Sequence, residues 1–126
     1  MPTTISRTVK QRPPTLPVDT IAERIAGKRY SLSLVYIGEK RAQALNIAHR
    51  NKDYIPNILS FPLDNQTGEI YICPAVAKKE ARNFDLSYKG YLTFLLIHGL
   101  LHLKGYEHGA TMERLERKYI RDFSVT

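Results

Sequence analysis

Three of the four histidines in this 126-residue chain fall within eleven residues, in the stretch HGLLHLKGYEH from His98 to His108. His98 and His102 are four residues apart. On a helix both imidazoles then leave one face a turn apart and can reach a single ion at ~2.0–2.1 Å. Gly105 permits a chain reversal that a Cβ would obstruct, so His108 can return to the same ion. The pattern HxxxHxxGxxH thus offers three neutral nitrogen ligands with no fourth protein ligand nearby. An open coordination position belongs to a catalytic site more than a structural one. Imidazole-only ligation suits Zn2+, and Ni2+ or Cu2+ would bind the same cage. A lone histidine on a buried helix is usually a hydrogen-bonded core residue; three at ligand spacing around a glycine point to a metal.

Zinc proteases carry HExxHxxGxxH, in which the Glu after the first His is the general base. Here that position is Gly99, so peptide hydrolysis by that route lacks its proton acceptor. What remains is an ion that polarises an oxygen or lowers the pKa of a bound water towards ~7, beside some other group that handles protons.

The elements that must hold this stretch are legible from periodicity. Leu86–Leu103 is apolar on nearly every side and is expected to be a centrally buried helix ended by Gly105. Met112–Phe123 is amphipathic, with Met112, Leu115, Tyr119 and Phe123 on one face. Upstream, Tyr30–Ile37 reads as a central strand, Gly68–Cys73 as another, and Asn57–Phe61 as a short strand closed by Pro62. Leu63–Thr67 is turn chemistry. Helices are expected over Pro17–Ala26, Glu39–Asn46 and Pro74–Arg82, with His49–Ile55 a polar loop. Thr3–Val9 is β-branched enough for a first strand, followed by the proline-rich linker KQRPPTLP; a flexible basic arm is the alternative. The whole, 1–126, reads as one domain, with 1–16 forming that strand and linker.

Hydrophobic residues make up 43% and charged residues 25%, which excludes a disordered or collagen-like chain. Nineteen Lys and Arg against 12 acids give +7 with His neutral, an excess that points towards an anionic partner such as nucleic acid. The one cysteine, Cys73, allows no internal disulfide and is expected to be a small buried hydrophobe. The start lacks the apolar region of a signal peptide, and Tyr91–Leu101 is too short to span a bilayer. A soluble protein of a reducing, cytoplasmic compartment is expected.

HGLLHLKGYEH resembles the signature HGxLHLxGYDH of the YbeY-type endoribonucleases, with His98, Gly99, Leu101, His102, Leu103, Gly105, Tyr106 and His108 on its positions. LNIAHRNKD (Leu45–Asp53) is similar to that family's LNxxYRxKD, NILSFP (Asn57–Pro62) to its T-[DN]-VLSFP, GEI (Gly68–Ile70) to its GDI, and MERLE (Met112–Glu116) to its terminal helix. The resemblance covers roughly residues 30 to 120. It implies an α+β, zincin-like fold, a small mixed sheet packed by helices with the metal at the end of a buried helix. It also implies a catalytic or substrate-positioning arginine at Arg50, and a planar guanidinium before the LSF strand suits a phosphate. Glu107 stands where the family has Asp, Pro56 where Thr is usual, and His49, read as a surface residue, where Tyr is usual. The N-terminal region is short and the loop after His108 is trimmed to Gly109–Thr111.

The leading expectation is therefore a Zn2+-dependent, single-strand-specific endoribonuclease acting in ribosomal RNA maturation and ribosome quality control. His98, His102 and His108 hold the ion, Arg50 neutralises charge on phosphorus, and Glu107 is a candidate for proton handling. Lys52, Lys78, Lys79, Arg82 and Lys104 are candidate phosphate contacts and Tyr106 a candidate base-stacking ring. Partners are RNA, with the ribosomal subunit or its proteins, and no membrane. Two alternatives stay open: a non-catalytic ribosome-assembly factor with a structural metal, and a metallohydrolase of another substrate.

Overall fold

Alternation along Ser31–Tyr36 sends Leu32, Leu34 and Tyr36 to one face, where all three are buried, so the segment forms a strand. Thr67–Ile72 repeats the pattern with Ile70 and Ile72. In the computed structural model, which describes residues 3–126, these are β2 and β4. The full order is Thr3–Arg7 (β1), Val18–Ala26 (α1), β2, Glu39–Arg50 (α2), Ile58–Asp64 (β3), β4, Pro74–Glu80 (α3), a 3-10 turn at Ala81–Phe84, Tyr88–Leu103 (α4) and Ala110–Asp122 (α5). The sheet runs β1-β2-β4-β3, with β1, β2 and β4 parallel and β3 antiparallel to β4. The fold is α+β: a small mixed sheet packed by helices.

Helix α4 supplies the core. Eleven of its 16 residues are buried, among them Leu92, Leu95, Leu96, Ile97, Leu100 and Leu101, and each such aliphatic side chain contributes about 1.5–3 kcal/mol. Its start is set by Ser87, whose hydroxyl oxygen accepts the Gly90 N–H at 2.9 Å. It packs with α1 against the sheet face that carries Leu32, Leu34, Ile70 and Ile72. The opposite face carries Val35, Ile37 and Tyr71 and is covered by Ala42 and Leu45 of α2 and by Cys73. Burial pushes the Cys73 thiol pKa up, as a small core hydrophobe requires. Among the described residues no helix is long and apolar enough to cross a membrane.

Several boundaries differ from expectation. The expected first strand forms, with Thr3 to Arg7 aligned with Leu32 to Tyr36, but it ends at Arg7 instead of Val9. Helix α2 does not stop at Asn46 but runs to Arg50, so Arg50 sits on a last helical turn and not in a loop. The stop signal is Asn51, left-handed at φ 55°, whose N–H bonds the carbonyls of Asn46 and Ile47. Pro62 does not close its strand: β3 continues to Asp64 with an irregular register after Pro62. β3 lies at the sheet edge, where a residue without an N–H leaves no partner unsatisfied. The helix expected to reach Arg82 tightens to 3-10 geometry from Ala81, and α4 begins at Tyr88 instead of Leu86.

A close helix–sheet contact falls at Gly99. A Cβ there would lie 2.8 Å from Ile58 Cδ1, 2.9 Å from Ser60 Oγ and 3.0 Å from Ile70 Cδ1. Gly99→Ala is therefore expected to destabilise the protein in urea denaturation. Overpacking at about 1–3 kcal/mol outweighs the ~1 kcal/mol of helix propensity that alanine adds.

Candidate metal centre

The last turn of α4 and the reversal after it bring the three imidazoles together. Leu103 ends the helix, and Gly105 takes φ 95°, a left-handed conformation that side chains resist. The Tyr106 N–H then bonds the Leu101 carbonyl at 3.1 Å, which folds the chain back beside the helix. His108 follows, and one ring nitrogen from each of His98, His102 and His108 lies within 4.8 Å of the others. Ring centroids are 4.5 to 5.3 Å apart. His98 and His102 are half-buried and His108 is exposed.

The far nitrogens of two rings are already committed. His98 Nδ1–H donates to Glu116 Oε2 at 2.5 Å, and His102 Nδ1–H donates to the Tyr106 carbonyl at 2.9 Å. A carboxylate and a carbonyl only accept, so both neutral rings carry the proton on Nδ1 and leave the Nε2 lone pair free. Those two Nε2 atoms face each other at 3.1 Å. A proton on one ring satisfies that contact, and so does a metal ion held by both, since two bonds of ~2.0–2.1 Å span the gap. The His102 pKa is lowered, first by burial and then by neighbouring His98, which favours the neutral form that a metal needs. The three histidines can thus hold one metal ion.

The imidazoles open onto a groove of about 840 Å³ whose other walls include Arg50, Tyr54, Ile58, Ser60, Tyr106 and Glu107. Arg50 and Tyr54 arrive from α2 and its following loop, while Ile58 and Ser60 come from the edge strand β3. Ser60 Oγ donates to the Gly99 carbonyl at 3.3 Å, a structural role. Arg50, Tyr106 and Glu107 are accordingly brought to the metal site. Lys52, Lys78, Lys79, Arg82 and Lys104 lie outside the groove's lining. Lys79 Nζ is 3.9 Å from Glu39, Lys78 lies over the Tyr88 ring at 5.9 Å, and Lys104 lies over the Tyr30 ring at 5.5 Å. Lys52 and Arg82 are exposed. His49 is an exposed residue whose ring centroid lies 5.0 Å from that of Phe61.

Glu116, Asn46 and Tyr54 escaped the sequence reading. For Glu116 a signal was present: it falls on the apolar face of α5 with Met112, Leu115 and Tyr119, and a carboxylate at such a position requires a partner. Its side chain is only 13% exposed.

Comparison with known proteins agrees with this geometry. Residues 10–124 match the family model described as Endoribonuclease YbeY. Curated relatives of that name include one from Bdellovibrio bacteriovorus, 39% identical over 75% of this chain and 65% of the relative. Another, from Ureaplasma urealyticum, is 42% identical over 58% of this chain and 51% of the relative. A third, from Finegoldia magna, is 31% identical over 75% and 67%. The aligned part of the chain thus spans about half to two thirds of the length of these relatives. The solution structure of TM1509 from Thermotoga maritima superposes with a TM-score of 0.63 at 26% identity, covering 94% of this chain and 86% of that one.

Elemental analysis of purified protein is expected to find one transition ion per chain and almost none in His98→Ala. Glu116→Gln, which keeps the shape but weakens the hold on the His98 ring, is expected to lower metal affinity about 10- to 100-fold in chelator competition.

Proposed function

The chain belongs to the endoribonuclease YbeY family, and from that premise we propose that it is a metal-dependent endoribonuclease cleaving single-stranded RNA. One observation carries the proposal: Arg50 and the three imidazoles line the same groove. We assign His98, His102 and His108 as ligands of a Zn2+ ion. When bound, that ion supplies Lewis acidity towards an oxygen of the scissile phosphate or of water.

The remaining work falls to the chain's own groups. Arg50 presents a planar, permanently charged fork that binds the phosphate and offsets the charge that builds on its oxygens in the transition state. Glu107 is the one carboxylate among the groove's lining residues and takes the proton from the attacking oxygen. Tyr106, 40% exposed, offers a ring on which an unpaired base stacks. The lysines and Arg82 outside the groove act through the net charge of +7, raising the local concentration of a polyanion. The setting we propose is the cytoplasm, where the chain acts as a single domain in ribosomal RNA maturation and ribosome quality control, with the ribosomal subunit or its proteins as partners.

On single-stranded ribosomal RNA fragments, Arg50→Ala is expected to lower kcat/KM by about 10²–10³ while metal content stays at one per chain. His102→Ala should lose both activity and metal. Glu107→Gln is expected to lower kcat by about 10²–10⁴. Cleavage that survives both Arg50→Ala and His102→Ala would remove the groove as the active site.

A further inference from the structure

Helix α2 inverts the usual polarity near its end. Asn46 is fully buried, at 0% exposure, whereas the adjacent Ile47 is 48% exposed. A polar side chain takes an interior position over an aliphatic neighbour only where its hydrogen bonds are needed. The buried amide makes two. Nδ2 donates to the Tyr54 carbonyl at 3.0 Å, and Oδ1 accepts from Arg50 Nη1 at 3.3 Å. The Asn46 carbonyl also accepts the Lys52 N–H at 3.3 Å, and one turn earlier Gln43 Nε2 donates to the Asp53 carbonyl at 2.6 Å. The exposed segment after α2 is thus folded back onto the helix by side-chain amides, with Asn46 at the junction.

Both residues bonded by the Asn46 side chain line the metal groove. Tyr54 is 52% exposed there, a large ring left in solvent next to a cation-binding site. We propose that Asn46 is a positioning residue that fixes the phosphate-gripping Arg50 and a base-stacking platform, Tyr54, as one unit on the groove wall. The amide oxygen aims the guanidinium, and the amide NH2 anchors the backbone that carries the ring. Asparagine is suited to this because it offers a donor and an acceptor from one short side chain. The inference rests on the groove being the RNA site, and it adds Tyr54 and Asn46 to that site's working parts.

Two substitutions separate the two bonds. Asn46→Leu keeps the number and branching of the side-chain heavy atoms and removes both. Asn46→Asp keeps an acceptor for Arg50 but loses the donor to Tyr54. On a single-stranded RNA oligonucleotide, Asn46→Leu is expected to lower kcat/KM about 10- to 100-fold with metal content unchanged. Asn46→Asp is expected to raise KM while kcat holds within about twofold. In an Arg50→Ala background the kcat effect of Asn46→Leu should vanish, and in a Tyr54→Ala background its KM effect should vanish. Undiminished effects in those backgrounds, or losses that merely track unfolded protein or missing metal, overturn the proposal. Failure of both Asn46 variants to fold does so too, since Asn46 is then structural only. If the wild-type chain cleaves no RNA, the activity assignment fails by itself. The positioning role is then read from fluorescence anisotropy with a non-cleavable 2′-deoxy oligonucleotide, whose binding Asn46→Leu should weaken only when Arg50 and Tyr54 are present. A wild-type chain that does not bind it overturns both.

Discussion

Helix α4 lies so close to β3 and β4 that a side chain at position 99 would crowd Ile58, Ser60 and Ile70, and the site follows from that contact. With about 100° of rotation per residue, a helix that turns Gly99 to the sheet must place His98 and His102 together on one flank, roughly 40° apart. That flank opens at the β3 edge, so the half-buried imidazoles meet solvent through a groove. The same contact explains why the protease-like spacing lacks the protease glutamate. A Glu side chain at this position would have to enter space held by Ile58, Ser60 and Ile70. The one carboxylate among the groove's lining residues is instead Glu107, in the following reversal.

The groove exists because helices on opposite faces of the sheet reach one edge of it. α4 packs on the face of Leu34 and Ile70, and α2 on the face of Val35 and Tyr71. Beside β4 the sheet ends at β3, whose outer side is unpaired in the sheet. Arg50 therefore comes from one layer and the imidazoles from the other. An arginine on α4 itself would compete with the ligands for the same flank.

Charge is distributed differently from what its total suggests. Of the Lys and Arg side chains singled out as phosphate contacts, Arg50 alone lines the groove, while Lys79 pairs with Glu39, and Lys78 and Lys104 lie over tyrosine rings. Exposed pairs of this kind contribute little to stability. In the proposed function the positive excess contributes at a distance, as a weak, salt-screened attraction for a polyanion. The groove itself carries a single guanidinium, Arg50, and two exposed rings, Tyr54 and Tyr106.

By itself the sequence determined the parts governed by local rules. The i, i+4 spacing of His98 and His102, the glycine that allows the return of His108, the all-round apolar character of α4 and the alternation of β2 and β4 each depend on residues near one another in the chain. Those were legible, and so was the family resemblance built on them. Tertiary structure decided what depends on distant partners. Helix α2 outruns its apolar pattern because Asn46 turns inward to bonds that only the folded-back loop provides, and Pro62 sits inside a strand because that strand became an edge. Glu116 reaches His98 across 18 residues, and Arg50 reaches the imidazoles' groove only through the order β1-β2-β4-β3. Spacing records what a helix or strand does with its own residues. Which side chains from separate elements share a solvent boundary is set by packing, whose energy is spread over the whole core.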